Sequence, residues 1–443
     1  MTKGAGEMQR EECHSRGGRL IIANSLNELM FRDSAPKEAR ALDVSAAQEL
    51  WLAEPGDVLV TPRPLASDLV EAVCMRLGIP RRSIIALSPS ARAKESLPAA
   101  LRREGMVRGL KERVTDQSDW KLRACALDRP LLDLADELGV VPEGYERPLP
   151  LPVVDEIYAI NTKEGFRGIA AALGLRIAPG VACVSPSEVE RAVRELLGDH
   201  EQVLVKCNRG SGGGGQFVIK RQTHGEVLDQ GRLRSFLENK ARLGHTFVVE
   251  ARLDLLMEPT IDAEVTEGGT RRLHIGAMRT ADGAFQGMDV PIRGLSDRAI
   301  EELEVAASVI GQYLFVIGYR GFFDIDGGLA GDGEVYLFEA NVRRTSTSIW
   351  YDVITRLRGR EFANSAVWRL ATTRPGQCRI PNGVGRLLSG MHCDLNGRDD
   401  ILILSTWTSL EDEWWVRYLV AGGNWADVDR LESSIARTFA ASR

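Results

Sequence analysis

The chain has 443 residues, of which 44% are hydrophobic, and its formal net charge is −6 at pH 7. This length predicts two to four compact units with cores of their own rather than one small domain. The negative charge and the lack of a basic block argue against a nucleic-acid partner, because phosphate backbones are bound by clustered Lys and Arg. Small molecules or peptides are therefore the expected ligands.

The seven cysteines stand singly, with no Cys-x-x-Cys pair. They indicate neither a disulfide framework nor a cysteine-type zinc site. The sequence has no export signal and no stretch of 18 uninterrupted apolar residues, so we predict a cytoplasmic protein without a membrane span. The six histidines form no pair at metal-ligand spacing. The oligomeric state stays open, with a homodimer as one option.

A polar segment precedes an alternation of apolar strands and helices. Residues 1–17 carry few apolar groups and no periodicity, so we expect a disordered leader there. From residue 18 to about 150 the pattern predicts a small α/β domain. Its helix begins at Ser67, presents one apolar face and stops at Gly78. The predicted strands are 20–24, 57–61 and 83–87, and the prolines that mark the end of the domain are Pro148, Pro150 and Pro152.

Helices and hairpins mix in the section from about residue 151 to 375, which predicts an α+β fold with layered sheets. A strand YAIN precedes a helix that begins at Thr162. Ser185 and Glu188 form a capping box at the start of the next helix, and a long helix follows Ser296. The predicted hairpins join 202–206 with 216–220, and 259–266 with 271–280.

The boundaries of the later units follow from these elements. We divide the section into a central lid subdomain at about 160–225 and a catalytic subdomain at about 226–375. Residues 376–443 hold four tryptophans, and we expect a small C-terminal domain there. The chain has no internal repeats.

A glycine-rich loop lies between two predicted strands, directly after Lys206. Glycines let backbone N–H groups approach phosphate oxygens closely. The spacing also satisfies G-x-G-x-x-G, but that fingerprint requires a following helix, whereas QFVIK predicts a strand. We expect a loop that closes over a nucleotide triphosphate, and a plain linker is the alternative. The loop residues assigned to nucleotide binding are Gly210, Ser211, Gly212, Gly213, Gly214 and Gly215.

Lysine is scarce, with nine lysines among the 56 basic residues. Lys206 ends an apolar strand beside the glycine loop, and Lys163 lies at a predicted helix start. A lysine point charge at such places suits phosphate oxygens, so we assign both residues to nucleotide binding. The alternative is that both side chains simply extend into solvent.

Oxygen ligands follow one another on two later strands. Residues two apart share a face of a strand, so Glu339 points with Asn341, and Asp324 points with Asp326. Hard oxygen ligands are what Mg²⁺ requires. A structural ion pair is the alternative, since an apolar strand does not bury an unpaired carboxylate.

Arg343 and Arg344 precede a predicted helix that opens with Thr-Ser-Thr-Ser. A helix N-terminus beside two arginines is suited to an anion, such as a transferred phosphoryl group or a substrate carboxylate. We therefore assign Arg344 and Ser346 to substrate binding. An ordinary helix cap with solvent-facing arginines is the alternative.

Taken in chain order, these features resemble the ATP-grasp superfamily across roughly residues 151–375. The spacing of 13 between Asp326 and Glu339 is similar to that of the D-alanine ligases. This resemblance implies that Asp326, Glu339 and Asn341 bind two Mg²⁺ ions beside ATP. The motifs that carry it are Lys163, Lys206 with its glycine loop, VVEARL, DID and EANVRR.

The resemblance also assigns the nucleoside contacts. It implies that Glu250 and Leu253 contact adenine through a carboxylate or the backbone. It places Glu258 about one residue from the position of a ribose-binding Glu. These three residues complete the predicted ATP site.

One position departs from the D-alanine ligase pattern. Those enzymes carry an Arg two residues before the metal-binding Asp, whereas this chain has Asp324 there. We therefore expect Arg343 to stabilise the reaction oxyanion, with Arg279 as the next choice. Asp324 is expected to partner the arginines rather than the metal.

The three-part layout is similar to that of the peptide ligases of pheganomycin-type biosynthesis. That resemblance implies a multidomain α+β and α/β protein, with a Rossmann-like pre-ATP-grasp domain, an ATP-grasp body and a small C-terminal appendage. It also implies a reaction in which the carboxylate of an amino acid, such as a nonproteinogenic one with a guanidino group, is activated as an acyl phosphate. The activated acid is joined to an amine or a peptide N-terminus, with release of ADP and phosphate. A small-molecule kinase and a catalytically silent ATP-binding regulator stay open as alternatives.

Overall fold

The structure is a computed structural model that describes most of the chain. The predicted leader at 1–17 and the loop residues Ser211, Gly212, Gly213 and Gly214 lie outside the described residues. Within the described part, no helix is both long and apolar enough to traverse a lipid bilayer. The described ranges are 18–30, 45–92, 95–115, 120–210, 215–221, 230–281, 284–373, 401–410 and 413–441.

The N-terminal part is a five-stranded parallel sheet in the order β3-β2-β1-β4-β5. Its central strand is short and apolar, and Leu20, Ile21 and Ile22 are fully buried. A parallel sheet covered on both faces requires such continuous apolar runs. The predicted α/β domain is confirmed. Its strands are β1 (Arg19–Ile22), β2 (Val58–Val60), β3 (Ile85–Leu87), β4 (Lys121–Ala124) and β5 (Val141–Pro142).

Among the residues that the structure describes here, four helices and two 3₁₀ helices accompany this sheet. The helix predicted from Ser67 ends where Gly78 takes a left-handed conformation with φ 67°. Asp128 begins another helix and accepts a hydrogen bond from the N–H of Leu131 at 3.3 Å. The helices are α1 (Ser67–Leu77), α2 (Leu97–Arg103), α3 (Val107–Thr115) and α4 (Arg129–Leu138), and the 3₁₀ helices are Ala46–Leu52 and Arg81–Ser83.

A helix lies where we predicted the strand YAIN. Pro150 precedes the helix α5 (Leu151–Ile160) and Pro152 lies in its first turn, where a missing N–H is harmless. Val153, Val154 and Ile157 are buried at helical spacing. The strand prediction was wrong, because three of the four letters of YAIN are the C-terminal end of this apolar helix.

The next helix carries Lys163 at its first position. Thr162 caps this helix, α6 (Lys163–Ala172), and its hydroxyl accepts from the N–H of Gly165 at 2.9 Å. The predicted helix start is therefore confirmed. Gly165 is required here, because a Cβ would lie 2.1 Å from the carbonyl oxygen of Ala159.

A four-stranded antiparallel sheet in the order β6-β9-β7-β8 forms a layer that we call the lid. Two helices cover its apolar face. The Ser185 half of the predicted capping box is confirmed, since Ser185 Oγ accepts from the N–H of Glu188 at 3.3 Å. The Glu188 carboxylate accepts from the N–H of Val184 at 2.9 Å instead of that of Ser185. The elements are β6 (Gly180–Cys183), α7 (Pro186–Asp199), β7 (Gln202–Cys207), β8 (Gln216–Lys220), α8 (Gln230–Arg242) and β9 (Phe247–Ala251).

A nine-stranded antiparallel sheet runs through the rest of the described chain. Its order is β10-β14-β11-β12-β13-β16-β18-β17, and β15 pairs with β14. Both predicted hairpins are confirmed. The strands are β10 (Leu255–Met257), β11 (Pro259–Thr266), β12 (Gly269–Ala281), β13 (Ala284–Val290), β14 (Gly321–Ala330), β15 (Val335–Asn341), β16 (Val367–Thr373), β17 (Ile401–Leu410) and β18 (Glu413–Gly422).

Helices pack on both faces of the nine-stranded sheet. The predicted long helix begins after Ser296, whose hydroxyl accepts from the N–H of Ala299 at 3.3 Å. The last two strands continue this sheet beside β16, and the final helix packs on them. The helices are α9 (Asp297–Ile317), α10 (Ser346–Arg358), α11 (Arg360–Ser365) and α12 (Trp425–Ala441).

Candidate active site

Lys206 lies on the lid strand β7, directly before the glycine loop. Its side chain is 8% exposed and its ammonium contacts Glu250 Oε1. The ammonium also lies 5.2 Å from the ring centre of Phe338 on β15. Lys206 therefore faces the nine-stranded sheet from the lid.

Lys163 reaches the same region from helix α6. Its Nζ lies 2.9 Å from Glu339 Oε2 and donates to the carbonyl oxygen of Gly210 at 3.2 Å. Its backbone N–H donates to the carbonyl of Asn208 at 3.0 Å, which fixes α6 against the lid. One ammonium thus joins the base of the glycine loop to the carboxylate of β15.

The predicted metal ligands meet across β14 and β15. Asp326 pairs with Glu339 in the strand register, and Asp324 pairs with Asn341. The Asn341 amide donates to Asp324 Oδ1 at 2.7 Å and to Asp326 Oδ2 at 3.3 Å. Thr260 on β11 donates to Asp326 Oδ1 at 2.6 Å. Asp326, Glu339 and Asn341 therefore form one oxygen-rich set.

Burial and close neighbours shift the charge of these carboxyls. Burial, together with the charge of Glu339, raises the pKa of Asp326 to about 7. Burial and the charges of Asp326 and Asp262 raise the pKa of Asp324 well above its ordinary value. Burial also acts to raise the pKa of Glu339, but Lys163, together with Lys206 and Arg343, holds that pKa below the ordinary value. The set holds more acidic groups than its neighbouring cations offset.

Arg343 lies at the end of β15 and is 8% exposed. Its Nη2 donates to Asn341 Oδ1 at 2.7 Å, so Asn341 lies between this guanidinium and the two aspartates. Its charge lowers the pKa of both Asp324 and Asp326 without outweighing their burial. The structure thus brings Arg343 to the predicted metal ligands, and its link to Asp324 passes through Asn341.

A buried carboxylate that the sequence analysis did not assign lies beside this set. Asp262 is 1% exposed and pairs with Asp324 in the register of β11 and β14. Its Oδ1 accepts from Thr347 at 2.8 Å, and its Oδ2 lies 3.1 Å from His274 Nε2. The alternation of Thr260 and Asp262 on one strand face was the available signal.

The N-terminal part of this chain matches a known domain family. The pre-ATP-grasp domain family matches residues 46–140. No protein among the curated sequences matches the chain. The chain is similar over nearly its whole length to solved structures that carry a bound nucleotide, as follows. One is the N5-carboxyaminoimidazole synthetase of Staphylococcus aureus with ADP, at 14% identity and a TM-score of 0.56, covering 96% of this chain and 97% of that one. Another is the carboxyaminoimidazole ribonucleotide synthase of Aspergillus clavatus with ATP, at 14% identity and a TM-score of 0.54, covering 97% of this chain and 100% of that one. A biotin carboxylase complex from Campylobacter jejuni is similar too (12%, 0.59, 91% and 87%).

The chain has the ATP-grasp fold. This confirms the predicted fold class, with its N-terminal pre-ATP-grasp domain and mixed α/β architecture. At an identity of 14% or less, the similarity shows the fold but not the substrates or the site residues.

Within the ATP-grasp fold, the predicted adenine contacts lie where the lid meets the nine-stranded sheet. Glu250 is near the end of β9, and both of its carboxylate oxygens face cations. Leu253 is half-buried in the segment between β9 and β10. Glu258 is exposed between β10 and β11, and its carbonyl accepts from the N–H of Met278 at 3.3 Å.

Two loop glycines lie among the described residues. Gly210 accepts from Lys163, as above. Gly215 has φ +81°, and a Cβ there would lie 3.1 Å from Cys207 Sγ. Glycine is therefore required at the point where the loop returns to the lid sheet. The phosphate contacts predicted for the residues between them stay predictions.

The other three predicted site residues lie at the start of helix α10 and on β12. Arg344 is 7% exposed and pairs with Asp352 of helix α10 at 2.5 Å, and its role in substrate binding stays a prediction. Ser346 is half-buried in the first turn of α10. Arg279 lies on the face of β12 opposite His274 and contacts Asp289 at 3.3 Å and Glu432 at 3.6 Å.

The described residues contain no group of three or more His, Cys, Asp or Glu placed to hold one metal ion. The predicted set is of another kind, two carboxylates and one amide. Oxygen donors of this type suit Mg²⁺, which commonly keeps several waters and uses few protein ligands. The excess of buried acids at Asp324, Asp326 and Asp262 is consistent with a bound cation.

Proposed function

We propose that the protein is an ATP-dependent carboxylate–amine ligase that works through an acyl phosphate. The observation that carries the proposal is that Lys163 contacts Glu339 at 2.9 Å while Lys206 lies near enough for its charge to lower the pKa of Glu339. Two lysines from the lid side approach a carboxylate of the nine-stranded sheet, and Asp326 and Asn341 lie beside it. Phosphoryl transfer depends mainly on such positioned charge.

ATP is the proposed nucleotide. Lys163 and Lys206 would offset the phosphate charge, together with the backbone N–H groups of the loop from Gly210 to Gly215. Glu250 and Leu253 would contact adenine, and Glu258 the ribose. The similar structures that hold ADP or ATP support this choice.

Mg²⁺ is the proposed metal, with two ions as the expectation. Asp326, Glu339 and Asn341 would hold it, and the carboxylate oxygens of the first two and the excess acidic charge fit that role. Asn341 would join them through its Oδ1, which accepts from Arg343 in this structure. When bound, Mg²⁺ supplies positive charge that aligns and neutralises the phosphate oxygens.

The residues of the chain then orient the two reactants. A substrate carboxylate oxygen forms a bond to the γ-phosphorus as the bond to the ADP oxygen breaks. The amine nitrogen next attacks the acyl carbon, the amine loses a proton, and phosphate leaves. Arg343 would stabilise the negative charge on the transferring group and on the tetrahedral oxyanion. The glycine loop would exclude water, which hydrolyses an acyl phosphate.

The acid substrate that we propose is an amino acid, with a guanidino-bearing nonproteinogenic one as the leading candidate. The proposed acceptor is the N-terminus of a peptide in natural-product biosynthesis. The resemblance of the three-part layout predicted from the sequence to that of such peptide ligases supports this assignment.

Analysis of the nucleotide product tests the proposal. Purified protein is incubated with Mg-ATP and a mixture of amino acids, guanidino acids and short peptides, and the products are separated by mass. We expect ADP and phosphate, formed only when an acid and an amine are both present. AMP and pyrophosphate would indicate adenylation and would contradict the acyl-phosphate route. A stable product heavier by one phosphate, without condensation, would indicate a kinase instead.

A further inference from the structure

Glu250 is shared by two cations in a buried cluster that we call the Glu250 cluster, formed by Glu250, Lys206 and Arg167. Lys206 Nζ contacts Oε1, and Arg167 Nη1 lies 3.3 Å from Oε2. The side chains of all three are between 6% and 12% exposed. Each oxygen of one carboxylate therefore has its own cation in an environment that is largely free of water.

The two cations are held differently. Arg167 has a second anchor, because its Nη2 donates to the carbonyl oxygen of Ala178 at 3.0 Å. Lys206 carries its ammonium on a flexible four-carbon stem, beside the glycine loop and 5.2 Å from the Phe338 ring. Lys206 is thus the cation that can leave Glu250, and Arg167 is the one that stays.

Arg167 also shares a helix face with a phosphate-site lysine. Residues four apart on a helix lie on the same side, and Lys163 is four residues before Arg167 on α6. One face of α6 therefore contacts Glu339 at its first turn and Glu250 at its second.

We propose that Arg167 is a positioning residue that holds the Glu250 carboxylate in place when Lys206 turns to the phosphates of the nucleotide. The inference rests on the proposed binding of ATP. The physical reason is that a buried carboxylate left without a cation is strongly destabilised. With Arg167 present, Lys206 can exchange one anion for another while Glu250 keeps a charged partner.

The first test needs no nucleotide. Lys206→Met imitates the state in which Lys206 has left Glu250, and its Tm is compared with those of Arg167→Met and of the double variant. We expect the double variant to lose more than the sum of the two single shifts, because only there is Glu250 unpaired. Adding Glu250→Gln should remove this excess. Additive shifts would overturn the proposal.

The second test measures the affinity for Mg-ATP by calorimetry. Arg167→Met should weaken binding by about tenfold or more, because Lys206 then stays bound to Glu250. Arg167→Lys should retain most of the affinity. Glu250→Gln combined with Arg167→Met should bind more tightly than Arg167→Met alone. A purely structural role for Arg167 would give no such recovery and would overturn the proposal.

The controls separate this inference from the proposed function. Arg194→Met removes an exposed arginine of α7 and should leave both Tm and affinity unchanged. A wild-type protein that binds no Mg-ATP would overturn the proposed function and this inference together. Normal binding by wild type with unaltered binding by Arg167→Met would overturn the inference alone.

Discussion

Asp326 and Glu339 face each other across two strands, yet their surroundings shift their pKa values in opposite directions. The difference lies in the cation that each one meets. Lys163 contacts Glu339 at 2.9 Å, whereas the neighbours of Asp326 are a threonine hydroxyl and an amide. Glu339 is thus held as a carboxylate next to the lysine, which is the state that a metal ligand requires.

Glu339→Gln keeps the size of the side chain and removes its charge. We expect turnover of ATP to fall by at least about a hundredfold, because a charged ligand next to the transferring group is lost. The measurement is ADP release with a substrate mixture that supports wild-type turnover. Glu301→Gln, at an exposed site on α9, is the matched control and should retain wild-type turnover. Turnover of the Glu339 variant within tenfold of wild type would contradict the assignment.

The sequence predicted the position of some residues of this site but not of others. The period of two along β15 placed Glu339 and Asn341 on one face, and the structure brings both to Asp326. No local pattern shows that Glu250 lies between two cations, because its contact with Arg167 joins residues that are 83 positions apart in the chain. Arg167 was missed for that reason.

Helix α4 shows how a helix end can respond to pH. Its capping residue, Asp128, is 1% exposed and also accepts from the N–H of Glu28 at 3.0 Å. Burial raises the pKa of Asp128 to about 6. The folded state therefore holds a proton that the unfolded chain releases above about pH 4. The stability from this proton is complete below about pH 4 and is lost as the pH rises through 6.

Asp128→Asn removes this titration and keeps a good capping residue. Between pH 4.5 and 7.5 we expect the free energy of unfolding of wild type to fall relative to the variant, by about 1–3 kcal/mol. Urea unfolding at several pH values measures it. Asp133→Asn, at an exposed site on the same helix, should show the wild-type pH dependence. Parallel curves for wild type and the Asp128 variant would contradict the prediction.

Elements with a cap or an uninterrupted apolar face were predicted well, whereas helix α5, which has no side-chain cap, was missed. The helices after Thr162, Ser185 and Ser296 begin at their caps as expected. Helix α5 was missed because Pro150 and Pro152 were interpreted as a boundary between domains. The same prolines are compatible with the first turn of a helix, and only packing decides between the two.

At the scale of the whole molecule, the N-terminal sheet is joined to the ATP-grasp body through Tyr158. Its hydroxyl donates to Glu28 Oε2 at 2.6 Å and accepts from the N–H of Arg129 at 2.8 Å. The Arg129 guanidinium lies 4.0 Å from the centre of the same ring. One side chain of α5 thus holds two segments that follow strands of the N-terminal sheet.

Tyr158→Phe removes both hydrogen bonds and keeps the ring. We expect the free energy of unfolding to fall by about 1–3 kcal/mol, because the N–H of Arg129 and the carboxylate of Glu28 both lose their partner beside the buried ring. Denaturant unfolding measures it, and hydrogen exchange at the segment from Asn24 to Met30 should accelerate. Tyr336→Phe is the control, because its hydroxyl bonds Asp332 at an exposed site. Equal effects of the two variants would contradict a role in joining the parts.

The sequence predicted the types of sheet in the molecule better than it predicted which strands pair. A parallel N-terminal sheet and an antiparallel body follow from strand periodicity and are present. The continuation of one sheet into the C-terminal strands was not predicted, because pairing between β16 and β18 joins segments that are far apart in sequence. The domain boundaries that we assigned from the sequence stay predictions.

The pairing of β16 with the C-terminal strand β18 determines what would happen if the chain were shortened. Removing everything after residue 375 would take away β17, β18 and α12, and β16 would lose the partner that it meets at all seven of its residues. A bare edge strand with apolar residues such as Leu370 and Ala371 is a template for pairing with another copy. The shortened protein would therefore aggregate. In the full chain, the C-terminal segment covers the edge of β16 and prevents such pairing.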